Sequence, residues 1–346
     1  MSIRADIPLV CICIPTYNAA ATIRETLASI VNQSYSNLDI QIVDNASTDE
    51  TLKIVAEFDD PRIRILRNEI NIGAEGNFNR CIQLATGKYT AIFHADDIYE
   101  PGMVQRQVEF LELNPEAGAV FTEASLIDES GKVFGAVKLP KELSSSDHLY
   151  VFLQLFKTTL HQCNYFICPS AMVKTNIYQD EIKCWRGELF KSSSDLDVWL
   201  RILLQHPVGM LPNPLMRYRV SKFQFSAHIR AQVDRTDFFL VMDYYLAQQG
   251  IQNLLTEDDR LHYRWLERTE RIRRAVNYFM CNQINEANHL CGTVITLDAL
   301  HAAFDSKQGL LTLLKGIFLK FFILLKLHSL GKKLLIFARN LGSSVF

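Results

Sequence analysis

The chain has 346 residues, of which 48% are hydrophobic and 21% charged, with a formal net charge of −2. This supplies apolar side chain for a large core plus an appendage, and it excludes a disordered or low-complexity chain. The near-neutral balance gives no footing for nucleic acid as a partner.

Residues 8–121 alternate between strand and helix patterns. Val10–Ile14 is an apolar strand ending at Pro15, and Thr22–Val31 carries Ile23, Leu27, Ile30 and Val31 at helical spacing. Leu38–Val43 is a second strand ending at Asp44. Ser47-Thr48-Asp49-Glu50 has the pattern of a capping box opening a helix through Val55. Ile63–Leu66 is a third strand and Gly76–Ala85 a helix. Tyr89–Phe93 is a fourth strand ending on His94-Ala95-Asp96-Asp97, followed by a helix over Met103–Leu113 and a strand over Ala117–Phe121. This alternation predicts an α/β fold, a doubly wound and mostly parallel sheet flanked by helices. Such sheets bind ligands beyond the carboxyl ends of their strands.

After Phe121 the pattern loosens. Asp128-Glu129-Ser130-Gly131-Lys132 predicts a hairpin turn, Leu149–Leu160 and Ser194–Leu204 predict helices, and Pro207, Pro212 and Pro214 predict a loop. From Gln232 the chain reads as helical to its end. The seven basic residues after Ser306, with no acid among them, leave −9 for the preceding body.

Eight cysteines are scattered with no Cys-x-x-Cys pair, which argues against a zinc ribbon or redox dithiol. They read as buried, reduced thiols of a cytosolic protein, with Cys11 and Cys13 on one side of a strand. The first apolar run, Leu9–Ile14, is too short for a secretory signal. No stretch approaches the roughly 18 apolar residues of a membrane span.

Three strand ends deliver polar residues to one edge of the sheet: Pro15-Thr16-Tyr17-Asn18, Asp44-Asn45-Ala46-Ser47-Thr48-Asp49, and Asp96-Asp97. A carboxylate leaving the second strand can accept hydrogen bonds from a base N–H or a ribose hydroxyl, although alone it reads equally as a turn or cap residue. Paired aspartates suit a hard divalent cation completed by phosphate oxygens and water, although alone they read as a solvated turn. On successive strand ends they point to a nucleotide site together. The absence of Gly-x-Gly-x-x-Gly after the first strand argues against a dinucleotide-dependent oxidoreductase, and the absence of Gly-x-x-x-x-Gly-Lys-[Ser/Thr] excludes a P-loop. Phosphates bound here need a metal rather than a glycine cradle.

These motifs, with Asn71-Ile72-Gly73 and Gly76-Asn77, resemble family 2 glycosyltransferases of the GT-A fold, of the bacterial surface-polysaccharide type. Order and spacing match over roughly residues 7–125 and more weakly through Ser194-Asp195-Leu196-Asp197-Val198-Trp199-Leu200-Arg201 and Tyr218-Arg219. The resemblance covers about two-thirds of the chain and does not reach its helical C-terminus. It implies that Pro15, Thr16, Tyr17, Asn18, Asn71, Gly73 and Asn77 line a nucleotide-sugar pocket. Asp44 would contact the base and Asp96 the ribose, and Asp97 would ligate Mg²⁺ or Mn²⁺ bridging the diphosphate. His94 stands where the family often has an acid, and reads also as a strand-end histidine. Asp195 matches the catalytic base, with Ser194 in place of the commoner Glu. Asp197 is the second choice, and lies about 200° around the helix from Asp195, so the two do not face one ligand. Either also reads as a first-turn acid on the helix dipole. The resemblance favours Arg219 over Arg201 and Arg217 as the cation assisting the departing diphosphate, and Arg201 reads equally as a helix-surface ion pair. Asn164, Ser170 and Trp185 are expected acceptor contacts, and Trp185 reads also as ordinary packing.

The activity so implied is inverting transfer of one sugar from a nucleoside-diphosphate sugar, UDP ahead of dTDP and GDP, to a saccharide or lipid-linked acceptor. An aspartate acts as base and a divalent metal assists. The expected organisation is a transferase domain over 1–228 (nucleotide-sugar half 1–125, acceptor half 126–228) and a helical region over 229–346 with a basic, apolar tail at 307–346. Lys315, Lys326 and Lys333 fall nearly in register, which suits a helix lying on anionic lipid. The alternative is a helix pair packed on protein with snorkelling lysines. The expected protein is cytoplasmic and peripheral on the inner face of the plasma membrane, acting in lipopolysaccharide, O-antigen or capsule assembly. Competing readings are a non-catalytic nucleotide-sugar-binding scaffold and a sugar-1-phosphate nucleotidyltransferase, which would begin with a glycine-rich, basic loop.

Overall fold

In β1 (Val10–Thr16) every residue but Pro15 is buried, as expected of a strand covered on both faces. Ile12 and Ile14 pack in one core with Ile23, Leu27 and Ile30 of α1 (Ile23–Val31). Cys11 and Cys13 place their sulfurs 3.6 Å apart, and Cys13 also reaches Cys81. The computed structural model describes residues 7–143, 148–221, 233–296 and 307–340, without the side chains of 307–308 and 338–340. The expected boundary at 228 and the tail end at 341–346 lie outside the described residues.

The first unit comprises Met1–Thr158 and Asn164–Ser221. After α1 come β2 (Leu38–Asp44), α2 (Thr51–Val55), β3 (Ile63–Arg67), α3 (Gly73–Leu84), β4 (Tyr89–Ile92), β5 (Ile98–Tyr99) and α4 (Met103–Leu113). Next are β6 (Ala119–Ile127), β7 (Val133–Val137), β8 (His148–Tyr150), α5 (Phe152–Gln162), β9 (Met172–Lys174), α6 (Gly187–Phe190), α7 (Ser194–Leu203) and β10 (Val208–Arg219). The sheet order is β3-β2-β1-β4-β9-β6-β10-β5, with β7 on β6 and β8 on β10. β3, β2, β1 and β4 are parallel, and β9 is antiparallel to both β4 and β6. Two reversals restore direction, so β6 and its parallel partner β10 run the same way as β4. The carboxyl ends of β1, β2, β4, β6 and β10 therefore share one edge.

Two local expectations are corrected. The proline-rich segment after α7 is a strand, not a loop. β10 pairs with β6 along its length, and its register breaks on either side of Pro214, where an irregularity spares the missing N–H. Ser47–Glu50 is not a capping box, because α2 has no side-chain cap and Ser47 Oγ instead accepts the Asn18 N–H.

The second unit comprises Thr159–Cys163 and Lys222–Phe346. It contains α8 (Phe238–Leu246), α9 (Gln249–Gln252), α10 (Glu257–Met280), α11 (Ile284–Val294), α12 (Lys307–Leu324) and α13 (His328–Asn340), a helical region as expected. A capping box of Thr256 and Asp259 starts α10. Trp265, Ile272, Phe279, Cys291, Leu313, Leu319, Phe322 and Leu335 form its core. Among the described residues no helix is long and apolar enough to cross a membrane.

Candidate active site

The nucleotide edge is built first by the turn after β2. Asp44 is fully buried, and both its oxygens accept the Ser47 N–H, at 3.1 and 3.3 Å. The half-exposed Arg67, at the end of β3, brings Nε to 3.3 Å from Asp44 Oδ2 and donates to the Ser47 carbonyl at 2.9 Å. Arg67 was not anticipated from sequence; its signal was a basic residue ending the strand beside Asp44. Thr16 is buried and donates to the Ile14 carbonyl. Tyr17 is exposed. Asn18, at φ 47°, accepts the Thr48 N–H and ties the ends of β1 and β2 together.

Asn71, Gly73 and Asn77 lie at this edge in a supporting arrangement. Asn77 is buried, donates to the Val43 carbonyl and accepts from Asn68. Asn71 Oδ1 accepts from Asn45 Nδ2 and from the Gly73 N–H. The Asn77 side chain, expected at the nucleotide-sugar pocket, holds β2 against α3. Asn45, from the motif after β2, and Asn68 complete the network, and Asn68 was missed because a lone asparagine after β3 carries no local pattern. Gly73 takes φ +78°, a conformation that strains other L-residues.

The second corner follows β4. The Thr26 hydroxyl donates to the Asp97 carbonyl at 2.7 Å and the Thr22 hydroxyl to the Ala95 carbonyl at 2.9 Å, so α1 fixes the backbone. Asp97 is fully buried; Oδ1 accepts the Arg219 N–H at 2.8 Å and Oδ2 has no partner. Burial, and then the charge of Asp96, push the Asp97 carboxyl well above the usual carboxylate range. His94 Nδ1 lies 3.9 Å from Asp97 Oδ2, and its Nε2 is buried without a partner. Burial holds this imidazole below its ordinary pKa, in the neutral form that ligates metals. One donor atom from each of His94, Asp96 and Asp97 lies within 4.8 Å of the others. Two orphaned buried polar atoms among oxygen and imidazole donors fit a divalent cation. His94 thus stands beside the aspartates as a third candidate ligand.

Arg219 is 4% exposed, and its guanidinium is directed into the fold. It donates to the carbonyls of Asp96 (2.8 Å), Asp128 (3.1 Å) and Glu129 (3.3 Å) and pairs with Glu25. Expected beside the departing diphosphate, it is instead fastened to the backbone of the Asp96-Asp97 corner. Arg217 pairs with Glu100 at 2.8 Å.

The third part is the first turn of α7. Asp195 is partly exposed, and burial pushes its carboxyl up to about 6. Asp197 is fully buried and pairs with Arg186 and Arg201. Arg201 also donates to the carbonyls of Ile182 (2.8 Å) and Cys184 (2.7 Å), which clamps the segment before α6. The helical offset separates the two acids as expected. Burial, and then the charges of Asp195 and Asp97, push the Cys168 thiol up.

Two expected acceptor contacts are corrected. Ser170 is fully buried; its hydroxyl accepts the Thr122 N–H and its carbonyl accepts from Gln107, a role inside the fold rather than on a pocket wall. Trp185 is 7% exposed and packs against Phe78 and Trp199, which leaves little of its face for a sugar. Asn164 is exposed, with Oδ1 accepting the Phe166 N–H.

The family model "Glycosyl transferase family 2" matches residues 11–173. An uncharacterized glycosyltransferase of Methanocaldococcus jannaschii is 30% identical over 220 residues, covering 62% of this chain and 72% of the relative. One from Haemophilus influenzae is 24% identical over 314 residues, covering 88% and 94%. Among solved structures, residues 1–349 of S. aureus TarS in complex with UDP-GlcNAc superpose with a TM-score of 0.60 at 16% identity, covering 91% of each chain. The mannosyltransferase PcManGT from Pyrobaculum calidifontis in complex with GDP-Man and Mn²⁺ superposes with a TM-score of 0.55 at 16% identity, covering 94% of this chain and 86% of that one. The fold is that of GT-A enzymes, and the chain belongs to the family 2 glycosyltransferases.

Proposed function

We propose that this glycosyltransferase moves one sugar, with inversion, from a nucleoside-diphosphate sugar to a lipid-linked saccharide at an anionic membrane surface, in assembly of a bacterial surface polysaccharide. The observation that carries the reading is Asp195, a partly exposed carboxylate in the first turn of α7 that burial pushes up to about 6. A base of that pKa is ionised at neutral pH and still basic enough to take a proton from a hydroxyl in the transition state. One carboxylate suffices for inversion: the acceptor oxygen attacks the anomeric carbon as Asp195 receives its proton, and the bond to the diphosphate breaks.

Asp44, with Arg67 beside it, would meet the base, and Thr16, Tyr17 and Asn18 would line the same edge. Asp96 would meet the ribose. Asp97, with Asp96 and His94, would hold Mg²⁺ or Mn²⁺, which when bound neutralises charge developing on the leaving diphosphate. Arg219 would act by holding Asp96 and Asp97 in place. The UDP-GlcNAc and the GDP-Man with Mn²⁺ in the superposing enzymes support a nucleotide sugar and a metal of this kind, with UDP first among the donors.

The membrane part of the reading is supported by α12 and α13. Leu314, Phe321, Leu324, Leu330 and Phe337 stand half-exposed or more, while Leu313, Leu319 and Phe322 of α12 and Leu335 of α13 are buried. An apolar surface interspersed with Lys320, Lys326 and Lys333 suits anionic lipid.

A thermal-shift screen of UDP-, GDP-, dTDP- and CMP-sugars, each with and without Mn²⁺, tests the donor reading. One nucleotide should raise Tm, with metal and in wild type but not in Asp97→Ala. A shift undiminished in Asp97→Ala removes the metal role, and no shift with any donor removes the nucleotide-sugar reading.

A further inference from the structure

The second unit carries a group of donors that the sugar-transfer reading does not use. In the last turn of α5, His161 stacks on His262 of α10, with ring centroids 4.0 Å apart and planes 9° from parallel. One ring nitrogen of each histidine and one carboxylate oxygen of Asp258 lie within 4.8 Å of one another. Ligands about 2.1 Å from a tetrahedral zinc ion stand roughly 3.4 Å apart, so binding would draw the donors together and tilt the two stacked rings out of parallel to aim both lone pairs at one ion. Asp258 is largely exposed and can rotate.

An acceptor beside one nitrogen of each ring assigns its tautomer. His161 Nε2 lies 3.1 Å from Asp259 Oδ1, an acceptor, so that nitrogen carries the proton and Nδ1 keeps its lone pair. His262 Nδ1 lies 2.9 Å from the Asp258 carbonyl and 3.5 Å from Asp258 Oδ1, both acceptors, so Nε2 is the nitrogen left for a metal and Asp258 must swing from Nδ1 to join it. A histidine whose second nitrogen donates to a carboxylate or carbonyl is the arrangement found around protein-bound zinc. Asp259 is itself anchored, accepting from the Thr256 N–H at 2.8 Å and hydroxyl at 2.7 Å.

The geometry points to a second metal site, at His161, His262 and Asp258, that takes a borderline transition metal such as Zn²⁺ and fastens the last turn of α5 to the first turns of α10. Two imidazoles and one carboxylate favour zinc over magnesium, whereas the Asp96-Asp97 corner is dominated by hard oxygen. The fourth position is open to water.

The test uses the full chain without a histidine tag, stripped with a chelator and titrated with Co²⁺ and then Zn²⁺. Wild type should develop the visible absorption of four-coordinate Co²⁺, and one equivalent of Zn²⁺ should abolish it. His262→Ala and His262→Gln should lose that absorption, and with it the rise in Tm that Zn²⁺ gives wild type, while circular dichroism stays unchanged. Asp97→Ala should keep both. Absorption that persists in both His262 variants, or no Zn²⁺ retained by wild type at about tenfold excess of metal, overturns the site.

Discussion

The backbone N–H of Arg219 lies 2.8 Å from Asp97 Oδ1, while Asp97 Oδ2 is buried with no partner. One oxygen is thus fixed from the end of β10 and the other is left for something outside the protein. A buried carboxylate oxygen without a partner costs about 1–3 kcal/mol. Asp97→Asn keeps the shape but puts an amide where a metal would meet a carboxylate, so it should abolish metal-dependent donor binding while leaving Tm within a few degrees of wild type. Calorimetry and a Mn²⁺ titration on the same variant check this. An unchanged metal affinity would move the metal elsewhere.

Asp195 should set the acid limb of the rate profile. Its carboxyl is pushed up to about 6, so kcat/KM should rise with pH through about 6 and then level off, as a base must be ionised. Asp195→Asn should lower kcat by roughly 10³-fold and erase that limb. The stability sign is opposite. A folded-state pKa above the unfolded value favours the fold below about pH 4, and that benefit is lost as pH rises through 6. Asp195→Asn should therefore be more stable than wild type above pH 6, by on the order of 1 kcal/mol after solvent screening. A wild-type profile flat from pH 5 to 8 counts against Asp195 as base.

Asp197 provides the contrast. It is fully buried between Arg186 and Arg201, so Asp197→Ala strands two cations and should cost about 3–5 kcal/mol. Denaturant unfolding of the two single variants separates the roles: Asp197→Ala should shift the midpoint strongly and Asp195→Ala should not. The reverse result would exchange the two assignments.

The division between these acids was legible in sequence because a helix turns 100° per residue, and the strands of the nucleotide half were legible because each is a short apolar run ending in polar residues. What was not legible required tertiary contact. β10 read as a loop because Pro212 and Pro214 are strand breakers, and only pairing with β6 reveals the irregularity that accommodates Pro214. Ser170 read as an acceptor contact because a serine in a connecting segment gives no sign of being covered by Thr122 and Gln107. Arg67 meets Asp44 across 23 positions of chain, and Arg219 meets Asp97 across 122, which local periodicity does not encode.

Arg219 gives a prediction that separates holding from contact. Its guanidinium bridges Asp96, Asp128, Glu129 and Glu25, so Arg219→Met should leave buried carbonyls unpaired and destabilise by about 2–4 kcal/mol. Loosening the corner should raise the apparent Kd for metal and donor together. Arg219→Lys, with one point charge in place of a fork, should recover little of either loss. Full donor affinity in a folded Arg219→Met would mean that the corner holds itself.

The helices α12 and α13 carry two kinds of apolar side chain, and the two should answer differently. Leu313 and Phe322 are buried with Trp265, Phe279 and Leu335, so Leu313→Ala or Phe322→Ala should cost about 2–5 kcal/mol. Leu314, Phe321 and Phe337 are exposed by 53%, 51% and 62%, so replacing all three with Ser should change stability by no more than about 0.5 kcal/mol per site. If this surface lies on lipid, the triple variant should lose co-sedimentation with anionic phospholipid vesicles while its Tm and donor binding hold. Wild-type binding should also weaken as salt rises from 0.1 to 1 M, where the screening length falls from about 10 to about 3 Å. Truncation cannot make this distinction, since it removes the buried residues with the exposed ones. Undiminished vesicle binding by the triple variant would assign the exposed face to a protein partner instead.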